Sequence, residues 1–309
     1  MSVIVSTVSI AKTVTKAVDD YRNQPLDFVA DYVAPVIPVQ TQTGYLPRFG
    51  RSNQKLINGL VSPHSPSPRV DFGLSTTAYS CEVHRLASVL PAELEAFDDT
   101  KLLNAANIGV QVDEALRIER EYELAALLLT AGTFGGNTSS PATAWNAAGG
   151  NPAGDVQTIG CAAVDTDINR VPEYGLCTLD VALFLRAFVA DLRVGGGSAS
   201  LAPMSEVAAY MGLKEIRVAR AGYNSAVPGN DTAVGAKLFG TENFWLFHKP
   251  DQMNAFSPCF MATPRVQSLS RARVEKVMDP EGLFIESRDC YDLVTVDGTA
   301  AYWFSTVLS

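Results

Sequence analysis

The spacing of apolar positions divides the chain into extended pieces, one long amphipathic helix and a mixed second half. Between Pro35 and Val89 the apolar residues come in short runs broken by proline, Pro35-Val36-Ile37-Pro38-Val39 and Gly44-Tyr45-Leu46-Pro47-Arg48-Phe49. Proline removes a ladder donor, which sends such pieces to a sheet edge or a projecting ribbon. Leu56 to Pro68 adds Pro63, Pro66 and Pro68 with few apolar anchors. Thr76 to Val89 then alternates as one long strand, with Tyr79, Cys81, Val83 and Arg85 on one side. Two extended limbs around a polar tip predict a hairpin arm that leaves the body of the subunit. An arm with so little core of its own is hard to stabilise in a monomer.

Pro91 ends that strand, and a helix of about thirty residues is predicted to follow, started by Asp98, Asp99 and Thr100. Apolar residues fall at Ile108, Val112, Ala115, Ile118, Tyr122, Ala125 and Leu129, one face at helical spacing. Asp113, Glu114, Glu119, Arg120 and Glu121 are expected mostly outside that face. At 1.5 Å per residue such a helix spans roughly 45 Å, so something extended must lie beside it.

Ala131 to Gly154 is rich in Gly, Ser, Thr, Ala and Asn, with Trp145 as its one large anchor, and reads as a connection. Beyond it helices are predicted over Asp155 to Ala163, Leu179 to Leu192 (capped by Thr178, broken by Gly195-Gly196-Gly197) and Ser205 to Met211, ended by Gly212. Ile216 to Ala219, Phe244 to Phe247 and Val274 to Val277 read as strands. Leu283 to Leu308 reads as two strands around an Asp297-Gly298 hairpin turn. The first 35 residues form an arm with some helical character near Val14 to Tyr21, and composition fits a flexible terminus equally well.

Composition narrows the function classes. A net charge of -9, with no Lys/Arg cluster, argues against a chain that grips nucleic acid. Five scattered cysteines without CxxC spacing read as reduced, packed thiols. No metal site is expected, since His64, His84 and His248 lie far from any cysteine pair, and Cys81 and His84 would face opposite ways on a strand. The start, Met1 to Val8, lacks a basic segment and a continuous apolar run, so no signal peptide is expected, and no stretch approaches the roughly 18 apolar residues of a span. There is no GxSxG, HExxH, Walker lysine or dinucleotide fingerprint. Asp98/Asp99 and Asp165/Asp167 sit where helix starts are expected, and capping accounts for them. Neither catalysis nor a cofactor is expected.

The order of elements resembles the Hong Kong 97-type capsid fold, an α+β fold. Asp31 to Val39 followed by Gly44 to Phe49 is similar to the approach to the E-loop of tailed-phage major capsid proteins of the lambda coat protein-like group. Trp145, Asn151-Pro152 and Asp155-Val156 resemble the segment leaving the spine helix. Met211-Gly212-Leu213, Ala221 to Ala226 and Lys237 to Phe247 resemble the axial-domain helix and strands. The resemblance covers roughly Asp31 to Leu308, and each motif in it is soft. It implies an N-terminal arm (1–35), an E-loop hairpin with adjoining strands (36–90), a peripheral domain with the spine helix and a connection (91–154), an axial domain (155–282) and C-terminal strands returning to the peripheral domain (283–309). No long, charged N-terminal extension of the scaffold type is present.

The function so implied is self-assembly into pentamers and hexamers of an icosahedral shell. That shell would enclose double-stranded DNA without sequence-specific binding, in a virion assembled in the host cytoplasm. Implied partners are further copies of the chain, portal and scaffolding proteins and a decoration protein, with no membrane. An encapsulin-type compartment shell and a soluble α/β enzyme remain the alternatives.

Charge placement suggests how copies would meet. Gln40 to Val70 holds Arg48, Arg51, Lys55 and Arg69 and no acid. Glu93 to Glu123 holds nine acids, among them Asp113, Glu114, Glu119, Glu121 and Glu123, against Lys101, Arg117 and Arg120. Because the family's E-loop lies across a neighbouring peripheral domain, the basic loop of one subunit is expected to meet the acidic helix of the next. Two solvated faces would give the same pattern. Lys55 lies where some such capsids cross-link a Lys to an Asn, but no matching Asn or Glu is found, so no covalent cross-link is expected.

Overall fold

The computed structural model describes residues 28–48, 75–91, 104–194, 200–225, 235–250, 258–278 and 281–309, with isolated positions 14, 16, 17, 56, 60, 67, 69 and 73. The chain runs through α1 (Ala30–Val33), β1 (Val36–Val39), β2 (Thr43–Arg48), β3 (Ser75–Ser80), β4 (Glu82–Pro91) and the long helix α2 (Ala105–Leu128). There follow β5 (Thr138–Ser139), α3 (Pro152–Asp155), a π-helical turn (Val156–Cys161), α4 (Ala162–Ile168), β6 (Tyr174–Thr178), α5 (Leu179–Val194) and α6 (Met204–Met211). Then come β7 (Glu215–Ala219), β8 (Gly222–Asn224), β9 (Gly235–Lys237) and β10 (Phe244–Phe247). The last part is β11 (Met261–Val266), β12 (Ala272–Met278), β13 (Glu281–Tyr291), β14 (Val294–Thr295) and β15 (Ala301–Phe304).

Two sheets organise these elements. The first has the order β1-β11-β13-β12, with β4 also on β13 and β14 on β11. Its centre is β13, which pairs with β12 and, from Gly282↔Pro91 to Tyr291↔Glu82, with the whole of β4. At its edge β1 runs parallel to β11, where Pro38 costs no interior hydrogen bond. The second sheet has the order β5-β15-β10-β6-β7, and all four residues of β10 (Phe244, Trp245, Leu246, Phe247) are buried at its centre.

Helix α2 serves both cores. Its Ile108 and Val112 pack with Leu90, Val274 and Ile285 of the first sheet, and Val14 of the arm joins them. Leu124 and Leu128, about three turns further on, belong to the large core around the second sheet. There the Trp245 indole donates to the Leu128 carbonyl at 3.0 Å. At 24 residues and about 1.5 Å each, α2 is roughly 36 Å long. Trp145 anchors the long connection as the sequence implied: it is buried, stacks edge-on to Phe244 and donates to Asp155 at 2.9 Å.

Several expectations are corrected. The long strand from Thr76 breaks at Cys81, whose N–H goes to Gln42, so β3 pairs with β2 while β4 joins the first sheet. Tyr79 and Cys81 are buried, but Val83 and Arg85 on β4 are exposed. The described part of α2 begins at Asn104, whose side chain accepts from Asn107 at 2.8 Å, and Asp98, Asp99 and Thr100 lie outside the described residues. Its buried face runs through Leu116, Leu124 and Leu128, not Ala115, Ile118, Tyr122 and Leu129, and it includes Asp113, Arg120 and Glu121. Asp297-Gly298 opens a 3-10 turn, not a hairpin, because β14 pairs with β11 and β15 with β10. Strands β11 and β12 sit with β4 and β13 in the first sheet, while β15 sits in the second. Thr178 donates to the Thr241 carbonyl, and Gly195 to Gly197 lie outside the described residues. Helix α6 ends as read, with Gly212 at φ +70° in the left-handed region.

Candidate functional site

Helix α2 carries five of the residues singled out by charge, and the fold separates them. Side chains at i, i+3 and i+4 share a face, so Asp113, Leu116, Arg120 and Leu124 form one stripe turned to the protein. Asp113 is 1% exposed, accepting from Ser287 at 3.0 Å and pairing with Arg117 at 3.4 Å. Glu121 is wholly buried, and its Oε1 accepts from the Ala30 N–H at 2.6 Å. Burial pushes the Glu121 carboxyl up to about 7, against the backbone hydrogen bonds of Ala30 and Val29 and the Arg120 charge. These two acids therefore cannot meet a loop from outside. The reading that placed them on an acidic outer face fails because both satisfy buried polar groups of their own chain. Glu114 and Glu119 are exposed, and Glu123 is partly so.

On the basic side, the Arg48 guanidinium reaches Asp297 at 2.8 Å. Asp297 is only 5% exposed and also accepts from the Thr299 N–H and hydroxyl. Arg48 is thus tied to its own subunit. Arg69 is exposed, and Arg51 and Lys55 lie outside the described residues.

Sequence reasoning missed the strap that precedes β1. Arg120 bonds Asp31 at 2.7 Å and Thr263 at 3.2 Å, and the Thr263 hydroxyl donates to the Ala34 carbonyl. Tyr32 reaches the second sheet, donating to the Gly175 or Glu215 carbonyl, both at 3.2 Å. Its ring has Lys249 at 3.8 Å and Arg217 at 4.4 Å, and burial first, then Glu215, holds its hydroxyl far above the usual phenol range. Residues 29–39 therefore bind helix, first sheet and second sheet together. The signal available was Val29-Ala30 and Tyr32-Val33-Ala34 on either side of Asp31, too apolar for a free arm.

The outer side of α2 holds a second cluster. Glu119 and Glu123 face His84 of β4 at 3.3 and 4.0 Å, and Tyr291 donates to Glu123 at 2.9 Å. Burial raises the Glu123 carboxyl, opposed by the Tyr291 hydrogen bond and His84. All five cysteines are free and buried, as read; burial pushes the Cys81 and Cys161 thiols up to about 11 and those of Cys177 and Cys259 up to about 12. Among the described residues no helix is long and apolar enough to cross a membrane.

No family model and no curated protein matches this chain. Solved structures do. A phage-related protein from Bordetella bronchiseptica superposes with a TM-score of 0.72 at 17% identity, covering 94% of this chain and 96% of that one. The fold is that of a phage capsid subunit. The capsid of cyanophage P-SCSP1u matches with a TM-score of 0.57 at 14% identity, covering 90% of this chain and 87% of its own. A virus-like particle from Pyrococcus furiosus matches at 0.54 and 10% identity, covering 95% of this chain and 98% of its own. In the resemblance read from the sequence, α2 corresponds to the expected spine helix, β2 and β3 to limbs of the expected E-loop, and the strap to the inner end of the expected N-arm.

Proposed function

We propose that the chain is the major capsid protein of a tailed phage, forming the pentamers and hexamers of an icosahedral shell around double-stranded DNA. The observation that carries this is the end-to-end likeness to a phage-related protein, which spans nearly all of both chains. Exposed apolar residues add support. Tyr45 on β2 is 73% exposed, and Leu56 and Leu60 in the E-loop are bare. Val83, Leu86 and Val89 on β4 are also open. A two-stranded ribbon with such side chains gains stability when a neighbour covers it.

The protein acts by association and has no chemical step to perform. Apolar burial repeated by symmetry would supply most of the energy, and charge would set register. The contacting charges are Arg51, Lys55 and Arg69 of one E-loop and Glu114, Glu119 and Glu123 of the next spine helix. Arg48, Asp113 and Glu121 are withdrawn from this set by their own-chain partners. Portal and scaffolding proteins are the expected assembly partners, a decoration protein the expected outer one, and the host cytoplasm the place of assembly.

The likeness to a virus-like particle keeps a compartment shell as the second reading. Expression of the chain alone, then size exclusion and negative-stain electron microscopy, tests both. Closed shells, tubes or capsomer rings support a shell protein, and DNA packaging with neighbouring phage genes selects the phage reading. A small species that persists with those genes co-expressed overturns it.

A further inference from the structure

His84 on β4 and Glu119 and Glu123 on α2 bring three metal-ligating atoms within 4.8 Å of one another. Nδ1 of His84 stands 3.3 Å from Glu119 Oε1 and 4.0 Å from Glu123 Oε1. Donors that share an ion at about 2.0–2.2 Å sit roughly 3–4 Å apart, so the separations already fit a coordination polyhedron. An imidazole nitrogen carries at most one proton and can donate to one of the two carboxylates, not both. A cation satisfies all three groups at once.

The supports are rigid. Glu119 and Glu123 are one turn apart and share a face of the spine helix. His84 is held opposite them by the register of β4 on β13, where it pairs with Asp289. The Tyr291 ring stacks on the imidazole at 4.5 Å and 16°, and its hydroxyl takes Glu123 Oε2, leaving Oε1 directed at His84. Such outer contacts fix ligand orientation in metal sites. A cavity of about 350 Å³, lined by His84 and Glu123 together with Ser80, Glu82 and Asp292, gives water access from that side.

We propose that His84, Glu119 and Glu123 bind a divalent transition-metal ion, Zn²⁺ foremost, with water completing its shell. One imidazole and two carboxylates suit Zn²⁺ or a similar ion better than Mg²⁺ or Ca²⁺, which take oxygen ligands. The ion would clamp the root of the E-loop to the spine helix. It would also take Glu119 and Glu123 from the basic loop of a neighbour, leaving Glu114. Cysteine and histidine spacing gave no hint of the site, because its carboxylates come from 35 and 39 residues beyond His84.

The test uses the untagged full chain, stripped with EDTA and titrated calorimetrically with ZnCl₂ and, separately, MgCl₂. One Zn²⁺ per chain is expected, with a rise in Tm and no comparable Mg²⁺ binding. His84→Gln and Glu119→Gln should each weaken Zn²⁺ binding by about 100-fold or more with unchanged circular dichroism. Co²⁺ loaded into the wild type should shift its visible band from that of the aqueous ion, a readout that does not depend on the variants folding. Non-saturable binding, an unshifted Co²⁺ band, or equal affinity in both folded variants would overturn the site. Binding is measured before assembly, so it stands or falls apart from the capsid reading.

Discussion

The carboxylate of Glu121, on the spine helix, accepts a hydrogen bond from the backbone N–H of Ala30 across 91 residues of chain. The contact seats the N-arm strap on the helix that joins the two cores. Replacing Glu121 with Leu keeps the volume apolar but strands the N–H groups of Ala30 and Val29. A buried unsatisfied donor costs about 1–3 kcal/mol, so the urea midpoint should fall accordingly. Glu121→Gln retains an acceptor oxygen and should cost less than Leu. Equal loss in both variants would mean the hydrogen bond is not what holds the strap.

The same carboxyl predicts a pH dependence. Burial holds its folded pKa near 7, whereas the unfolded chain loses the proton near the ordinary Glu value of about 4.3. Between these values the unfolded state binds fewer protons than the folded one, so stability falls as pH rises through the window. Glu121→Gln removes the titration. The stability of the variant relative to wild type should therefore increase from about pH 5 to about pH 7.5, measured in chelator. A constant difference would show that the native carboxyl ionises as it does in the unfolded chain.

Much of this architecture was legible in residue spacing, and the exceptions share a cause. The strands Phe244–Phe247 and Ala272–Met278, the helix end at Gly212 and the anchor Trp145 follow from local pattern, because apolar runs and left-handed glycines act locally. The face of the spine helix did not. Asp113, Arg120 and Glu121 look like solvated charges until Ser287, Thr263 and the strap arrive from distant sequence to satisfy them. Asp297-Gly298 likewise reads as a hairpin turn, because nothing local reveals that Arg48 will reach Asp297. Long-range polar pairing is what a single sequence hides.

Trp145 offers a test of how the long connection is anchored in the large core. Its side chain is 1% exposed, packs against Phe244 and Phe304 and donates to Asp155. Large-to-small substitution at such a site leaves a cavity and costs about 3–5 kcal/mol. Trp145→Ala should lower Tm steeply and favour insoluble product, whereas Trp145→Phe should retain most of the packing and lose the Asp155 hydrogen bond. Thermal unfolding of the soluble fraction separates the two. Similar Tm values for Ala and Phe would place the contribution in the hydrogen bond alone.

Charge reversal in the E-loop separates contacts within a subunit from contacts between subunits. Arg48 must be left intact, since Arg48→Glu sets a second carboxylate against the buried Asp297 and should destabilise the monomer itself. Arg51→Glu, Lys55→Glu and Arg69→Glu together reverse the remaining basic charges of the Gln40–Val70 loop while sparing Arg48. Each exposed pair contributes only about 0–1 kcal/mol, yet a shell repeats the pair at every interface, so small losses multiply across the assembly. The triple variant should keep its Tm while closed shells disappear from negative-stain images. Restoring shells by a compensating Glu114→Lys would identify the spine helix as the partner. Shells that persist in the triple variant would mean that the loop charges are solvated and that apolar burial alone sets the register.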